Sequence, residues 1–281
     1  MSRCAAIAAI LLLVCPLRLF AGDNQGEPSW MKARPTSFSP TQLIAPAALI
    51  VAGSIGVSTQ FGTGFRTMVG EEMNEIRRGP CRVDDVLQFV PLAMDLGLGF
   101  TGVPTRHNFR DRALVTVTAY ATTAVLVNTL KYTVREPRPG SGTRNSFPSG
   151  HTAVAFTAAE IVRIEYGPWF GLAAYSMGLA TAFLRVYNNR HWITDTFAGA
   201  GIGILSAHIG YWLLPLEQRL ADNIAEKCRL RRLRRAFPDL DFSALPGERA
   251  HERPRRRPGF LAVPTFDPVT SSASLSFALV F

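Results

Sequence analysis

Residues Tyr187–Pro215 read YNNRHWITDTFAGAGIGILSAHIGYWLLP, a cluster of Asn, Arg, His and Asp that runs directly into uncharged, glycine-rich apolar sequence. From Thr196 to Pro215 there is no Asp, Glu, Lys or Arg, and the run is long enough for a helix to cross about 30 Å of hydrocarbon. Gly199, Gly201 and Gly203 stand beside Ala198 and Ala200, and small residues of this kind let neighbouring helices approach closely. The run far exceeds an ordinary strand and no hairpin signal interrupts it, so it predicts a helix packed on other helices. His191 and Asp195 lie at its mouth, four positions apart.

Working outward, further apolar stretches occupy Thr41–Thr59, Val86–Thr105, Ala113–Leu130, Ala153–Ile164 and Pro168–Leu184. The first and third of these, with the run at Thr196, are free of charge over a spanning length. Val86–Thr105 carries Asp95, Ala153–Ile164 carries Glu160 and Arg163, and Pro168–Leu184 is bounded by Gly167-Pro168 and Arg185. These three are weaker as lipid-facing spans and fit helices buried inside a bundle. The fold class expected is therefore all-α, a helical bundle with a six-helix core over residues 40–215, expected to be transmembrane. Phe61–Asp85 reads as a loop.

The flanks differ in character. Arg3, the apolar stretch Ala5–Val14 and the small residues Ala21 and Gly22 have the layout of a secretory signal over residues 1–21. An uncleaved anchor is the alternative. Cys4 and Cys15 would leave with that segment, and Cys81 and Cys228 have no metal-type spacing. Residues 216–281 form a basic tail, with Arg231, Arg232, Arg234 and Arg235 on an amphipathic helical pattern, and supply much of the net charge of +9. Because the tail directly follows a membrane-like helix, positive-inside bias accounts for it without a nucleic-acid partner. The final SSASLSFALVF alternates like a barrel-closing strand, but no other barrel strands precede it.

Three polar clusters stand at ends of the helical runs: KYTVREPRP at Lys131–Pro139, FPSGH at Phe147–His151 and RVYNNRHWITD at Arg185–Asp195. Singly each has a structural explanation, such as snorkelling, loop punctuation or a helix start. Together they describe an anion cradle. Lys131, Arg138 and Arg185 are cations suited to phosphoryl oxygens, two of them guanidinium forks. Ser149 sits where an N-cap belongs, and a helix opened by Gly150 would aim free N–H groups and its positive dipole end at an anion. On a helix, His191 and Asp195 share one face, so the carboxylate can orient the ring and leave the other nitrogen as a nucleophile. His151, from a different helix, could protonate the leaving oxygen.

The pattern K-x6-R-P, P-S-G-H and R-x5-H-x3-D, carried by Lys131/Arg138/Pro139, Pro148/Ser149/Gly150/His151 and Arg185/His191/Asp195, resembles the type 2 phosphatidic acid phosphatase family. Its superfamily includes bacterial non-specific acid phosphatases, glucose 6-phosphatase and the vanadium haloperoxidases. Ten positions in the right order and spacing make the match far more specific than one short motif. The resemblance implies a phosphatase with no metal and no cofactor. His191 would be the nucleophile, Asp195 its orienter and His151 the general acid, with Lys131, Arg138, Ser149, Gly150 and Arg185 holding the phosphate. Many members have Ser before the third-motif Arg, where this chain has Leu184.

The resemblance also implies a bacterial inner-membrane enzyme whose site faces the periplasm, with Thr105–Arg112 and the tail inside, as positive-inside bias favours. Six spans with an inside tail require an inside start, whereas a cleaved signal leaves the start outside. A membrane-associated periplasmic bundle is the alternative. The substrate class implied is a lipid phosphate or diphosphate: lipid A, undecaprenyl diphosphate or phosphatidate. The partners implied are that substrate and the membrane lipids. A soluble acid phosphatase, a vanadate-dependent haloperoxidase and a non-catalytic bundle are the competing classes. The motifs do not choose among lipids or fix an oligomeric state.

Overall fold

The computed structural model describes residues 37–236, 259–267 and 272–280. The expected signal at residues 1–21 lies outside the described residues, as does Phe281. The chain divides into two compact units at Arg219/Leu220.

The first unit is helical. A 3-10 turn at Pro40–Leu43 leads into α1 (Ile44–Ser58), followed by α2 (Gln60–Ile76), the single turn α3 (Asp84–Leu87), α4 (Val90–Leu98), α5 (Phe109–Val134), α6 (Gly150–Tyr166), α7 (Pro168–Tyr187) and α8 (Ile193–Ala236). Local signals set several boundaries. Thr59 caps α2 by accepting from the Gly62 amide at 3.0 Å, and Asn108 caps α5 by accepting from the Asp111 amide at 2.9 Å. Gly167, at φ 92°, turns the chain between α6 and α7, and Pro168 opens the next helix with the φ a first turn wants.

The expected six runs become α1, α3 with α4, α5, α6, α7 and α8. The addition is α2, in the segment read as a loop. Its sequence QFGTGFRTMVGEEMNEI mixes glycine, acid and apolar residues, and it lies along one end of the bundle. Arg66 pairs with Glu136 at 2.6 Å and stacks over the Trp192 ring, while Asn74 accepts from Asn189 at 2.9 Å.

The close approach foreseen for the glycine-rich run is real. A Cβ on Gly199 would fall 2.5 Å from the Ser149 carbonyl, and one on Gly203 would fall 2.4 Å from the Ala153 carbonyl. Backbone contact at that range allows α6 and α8 to run side by side in the same direction. Accordingly α6 is buried along almost its whole length, as befits a helix carrying Glu160 and Arg163. Around this pair, α1 and α5 run the opposite way. Gly53 abuts Ala198 while Pro46 abuts Gly201, and Val115 packs with Tyr211 while Val127 packs with Ile202. Clusters of Val115, Ala119, Ile161, Ile164, Ala207, Tyr211 and Leu214, and of Leu98, Ala159, Val162, Tyr166, Phe170 and Ala174, form the core away from the site.

Three helices are long and apolar enough to cross a membrane: Pro40–Ser58, Phe109–Val134 and Ile193–Leu233. They contain the three runs that the sequence singled out. Apolar side chains such as Val51, Val117, Val125, Leu172 and Leu179 are exposed on the bundle surface, an arrangement that suits lipid as the surrounding medium. In the second unit, β1 (Gly259–Asp267) and β2 (Ser272–Val280) pair antiparallel, with Gly259 opposite Val280 and Asp267 opposite Ser272. The alternating C-terminal sequence is thus one arm of a hairpin.

Candidate active site

The residues carrying the three sequence clusters meet at one end of the bundle. Lys131 is in the last turn of α5, Arg138 in the following loop, Ser149, Gly150 and His151 at the start of α6, Arg185 in the last turn of α7, and Asp195 in the first turn of α8. His191 precedes α8 instead of lying on it; its amide and that of Arg190 both return to the Arg185 carbonyl. The cations sit near helix ends that carry negative partial charge, and Ser149 and Gly150 sit at a positive one.

Asp195 is held from two sides. The Trp192 amide donates to its Oδ2 at 2.9 Å, as in a capping box, and the buried hydroxyl of Ser146 donates to the same oxygen. His191 turns Nδ1 toward this Oδ2 at 3.6 Å, beyond hydrogen-bond range. Its Nδ1 and Asp195 Oδ1 are both buried without a partner. Free-enzyme catalytic contacts are commonly long and tighten around substrate. Burial pushes the imidazole of His191 down to about 4, against the pull of Asp195 and with Lys131 and Arg185 adding to the push. The ring is therefore neutral at ordinary pH, with Nε2 as its lone-pair nitrogen.

Ser149 is the N-cap of α6, but its hydroxyl does not cap the helix; it accepts from Thr152 Oγ1 at 3.0 Å, and its amide donates to the Asp195 carbonyl at 3.0 Å. A Cβ on Gly150 would meet only Val127, at 3.7 Å, so protein packing does not demand glycine there. Lys131 donates to the Asn145 carbonyl at 2.7 Å. Burial and the neighbouring Arg185 and Arg190 hold the guanidinium of Arg138 below its ordinary pKa. The Nε atoms of Arg138 and Arg185 are buried without partners. His151 is pushed below the usual imidazole value by burial and Arg185, with Asp85 pulling it back. The arrangement offers a neutral imidazole, a second imidazole, and cationic groups with spare donors around one point.

The sequence profile of the PAP2 superfamily matches residues 112–219, which span all three motifs. Over these residues the chain is similar to the PAP2 superfamily. Lipid A 1-phosphatase of Porphyromonas gingivalis is 38% identical over 139 residues, covering 48% of this chain and 31% of that protein. The chain thus spans about a third of the length of this curated relative. Among solved structures, Aquifex aeolicus LpxE gives a TM-score of 0.40 at 23% identity, covering 50% of this chain and 92% of that one. A transmembrane PAP2-type phosphatidylglycerolphosphate phosphatase from Bacillus subtilis gives 0.43 at 19% identity, covering 62% and 96%.

Around the residues of the three clusters, the structure adds four groups that the sequence did not reveal. Asp84 accepts from Arg185 Nη1 at 2.7 Å and from Asn188 Nδ2 at 3.1 Å. Asp85 Oδ1 lies 3.2 Å from His151 Nε2 and 3.5 Å from Arg185 Nη1. Asn188 also exchanges two hydrogen bonds with the Cys81 backbone, at 2.8 and 2.6 Å, and Ser146 is the fourth. The adjoining Asp84 and Asp85 are a weak signal in sequence, because their partners stand 66 to 104 residues away. Ser146, three positions before Ser149, carries no signal at all.

Proposed function

We propose that this PAP2 protein is a metal-independent membrane phosphatase that removes phosphate from a lipid phosphate or diphosphate through a phosphohistidine. The observation that carries the reading is His191: a buried, neutral imidazole whose Nδ1 faces Asp195, placed where Lys131, Arg138, Arg185 and the α6 N-terminus surround one anion site. Nε2 of His191 attacks phosphorus, a P–N bond forms, and the bond from phosphorus to the ester oxygen breaks. His151 gives its proton to that departing oxygen. Water then attacks the phosphohistidine, its proton passes to His151, and the P–N bond breaks to release inorganic phosphate. The forks of Arg138 and Arg185, with Lys131, stabilise charge that builds on the equatorial oxygens.

A site at the end of a bundle with exposed apolar flanks suits a substrate whose phosphate reaches the interface while its tails stay in hydrocarbon. The similarity to a lipid A 1-phosphatase favours a glycolipid phosphate, with phosphatidate and prenyl diphosphates as the other members of the class. The site faces the periplasm and the basic tail the cytoplasm, in keeping with positive-inside bias. Protein purified in detergent and assayed for phosphate release from lipid A, phosphatidate and undecaprenyl diphosphate in EDTA tests this directly. Release that survives EDTA is the expected result, and its abolition points to a metal enzyme. A reporter fused after Arg257 should report a cytoplasmic location.

A further inference from the structure

We infer that Arg77, Arg82 and Arg190 form a second anion subsite beside the phosphate cradle. The preferred substrate is then a lipid whose headgroup bears another anionic group in addition to the phosphate removed; this rests on the phosphatase reading above. A cavity of about 900 Å³ opens from His151 and Arg185 and continues between the segment Arg77–Arg82 and the turn Asn188–Arg190. Arg77, Arg82 and Arg190 all line it. The volume is in the range of sites that hold whole small molecules, well beyond the needs of a single phosphate.

Neutral groups hold these two cationic segments together. Asn189 donates to Asn74 at 2.9 Å, the Arg78 amide donates to the Tyr187 hydroxyl at 3.1 Å, and Asn188 exchanges its two bonds with Cys81. None of these bonds uses a guanidinium. The cavity's two acids are engaged elsewhere: Asp84 is bound by Arg185, and Asp85 reaches His151 and Arg185. Among the described residues, no ion pair involves Arg77, Arg82 or Arg190. Gathering like charges without counter-charges is unfavourable, and an anionic ligand would relieve it. Positive-inside bias offers no other reason for them, since it places basic residues at the opposite end of the bundle.

Asp85 marks the boundary between the two subsites. Its side chain is 57% exposed, and its carboxylate lies where the cradle meets the cavity, touching the groups assigned to leaving-group protonation and phosphate binding. Substrate therefore fills the inner site against His191 and extends past Asp85 toward the three arginines. A diphosphate would place its second charge near that boundary, whereas a headgroup with a separate phosphate would place it deeper in the cavity.

The test compares the wild type with Arg82→Ala/Arg190→Ala on three substrates in mixed micelles: phosphatidate, the matching diacylglycerol diphosphate, and bisphosphorylated lipid A. Loss of two charge-assisted contacts should raise KM at least about tenfold for one or both two-anion substrates. KM for phosphatidate should move by less than about threefold, kcat should hold, and Arg82→Lys/Arg190→Lys should recover part of the loss. An effect confined to the diphosphate places the second charge at the boundary, and one confined to lipid A places it deeper. Equal losses on all three substrates, or none, overturn the subsite. Calorimetry with inorganic pyrophosphate and phosphate separates this inference from the phosphatase reading. Tighter pyrophosphate binding that disappears in the double alanine variant supports the subsite even if no lipid is hydrolysed. An active enzyme lacking that preference and the KM effect overturns the subsite alone.

Discussion

The two ends of the helical bundle treat charge in opposite ways. Away from the site, Glu160 receives both Arg163 nitrogens at 2.7 and 2.6 Å, the Tyr175 hydroxyl at 2.6 Å and His208 Nε2 at 3.0 Å. Glu165 likewise receives the Tyr211 hydroxyl at 2.6 Å and both the amide and ring of His107. That end is not fully closed either: Asp95 and Arg112 stand 3.8 Å apart, and Asp95 Oδ1, Arg112 Nε and His208 Nδ1 are buried without partners. At the site end, His191 Nδ1, Asp195 Oδ1 and the Nε atoms of Arg138 and Arg185 are buried without partners. Buried charge satisfied within the chain ties helices together. Buried polarity left open is costly to the fold, and binding of an anion would relieve it.

Substitutions at the two ends should therefore fail in different ways. Under the proposed mechanism His191→Ala removes the nucleophile and is expected to cut phosphate release at least about a thousandfold, with the thermal midpoint unchanged or raised. Glu160→Ala should do the reverse. Glu160 is 2% exposed, and its loss leaves His208 and the Arg163 guanidinium without their acceptor, costing about 3 kcal/mol. Folded yield and thermal midpoint should drop while kcat per folded molecule stays within about twofold. A Glu160 variant that folds normally but turns over slowly would break the comparison.

The pH profile sharpens it. In the proposed mechanism His191 attacks as the neutral ring, and burial pushes its pKa down to about 4, so kcat/KM should fall only as pH drops through that value. In the same proposal His151 assists departure as the protonated ring, and burial and Arg185 hold it below the ordinary value of 6.5. The alkaline limb should accordingly lie below 6.5, giving a bell on the acid side of neutrality. Asp85→Asn removes the group that pulls His151 up and should move the alkaline limb lower still. A limb fixed in this variant would separate His151 from the acid role.

Much of this was legible in the chain because it resides in local pattern. Uncharged runs of spanning length marked three helices, and the glycines of the last run announced a close helix neighbour, which the structure shows to be α6. The order of Lys131, Arg138, Ser149, His151, Arg185, His191 and Asp195 pointed to one cluster, and these residues do meet at one end of the bundle. What stayed hidden depends on contacts far apart in sequence or on weak periodicity. Helix α2 carries glycines and acids that mask its helical face. Asp84 and Asp85 acquire meaning only when α3 reaches the end of α7. The placement of His191 also differed: spacing suggested a shared helical face, whereas the ring hangs from the turn before α8 and meets Asp195 across the helix start.

The smallest effect tests the finest part of the comparison. Ser146 is fully buried and its hydroxyl donates to the same Asp195 oxygen that faces His191. Two donors on one carboxylate oxygen compete with the imidazole for it, which helps explain why His191 Nδ1 stands back at 3.6 Å. In Ser146→Ala the Trp192 amide still holds the carboxylate, so kcat/KM should fall only about tenfold, the worth of one hydrogen bond to a charged group. Direction in the pH profile identifies the cause. With one competing donor gone, the carboxylate can draw the ring closer and stabilise its protonated form, so the acid limb should move up from about 4. A loss of activity through local misfolding would lower the yield of active enzyme and leave that limb where it is.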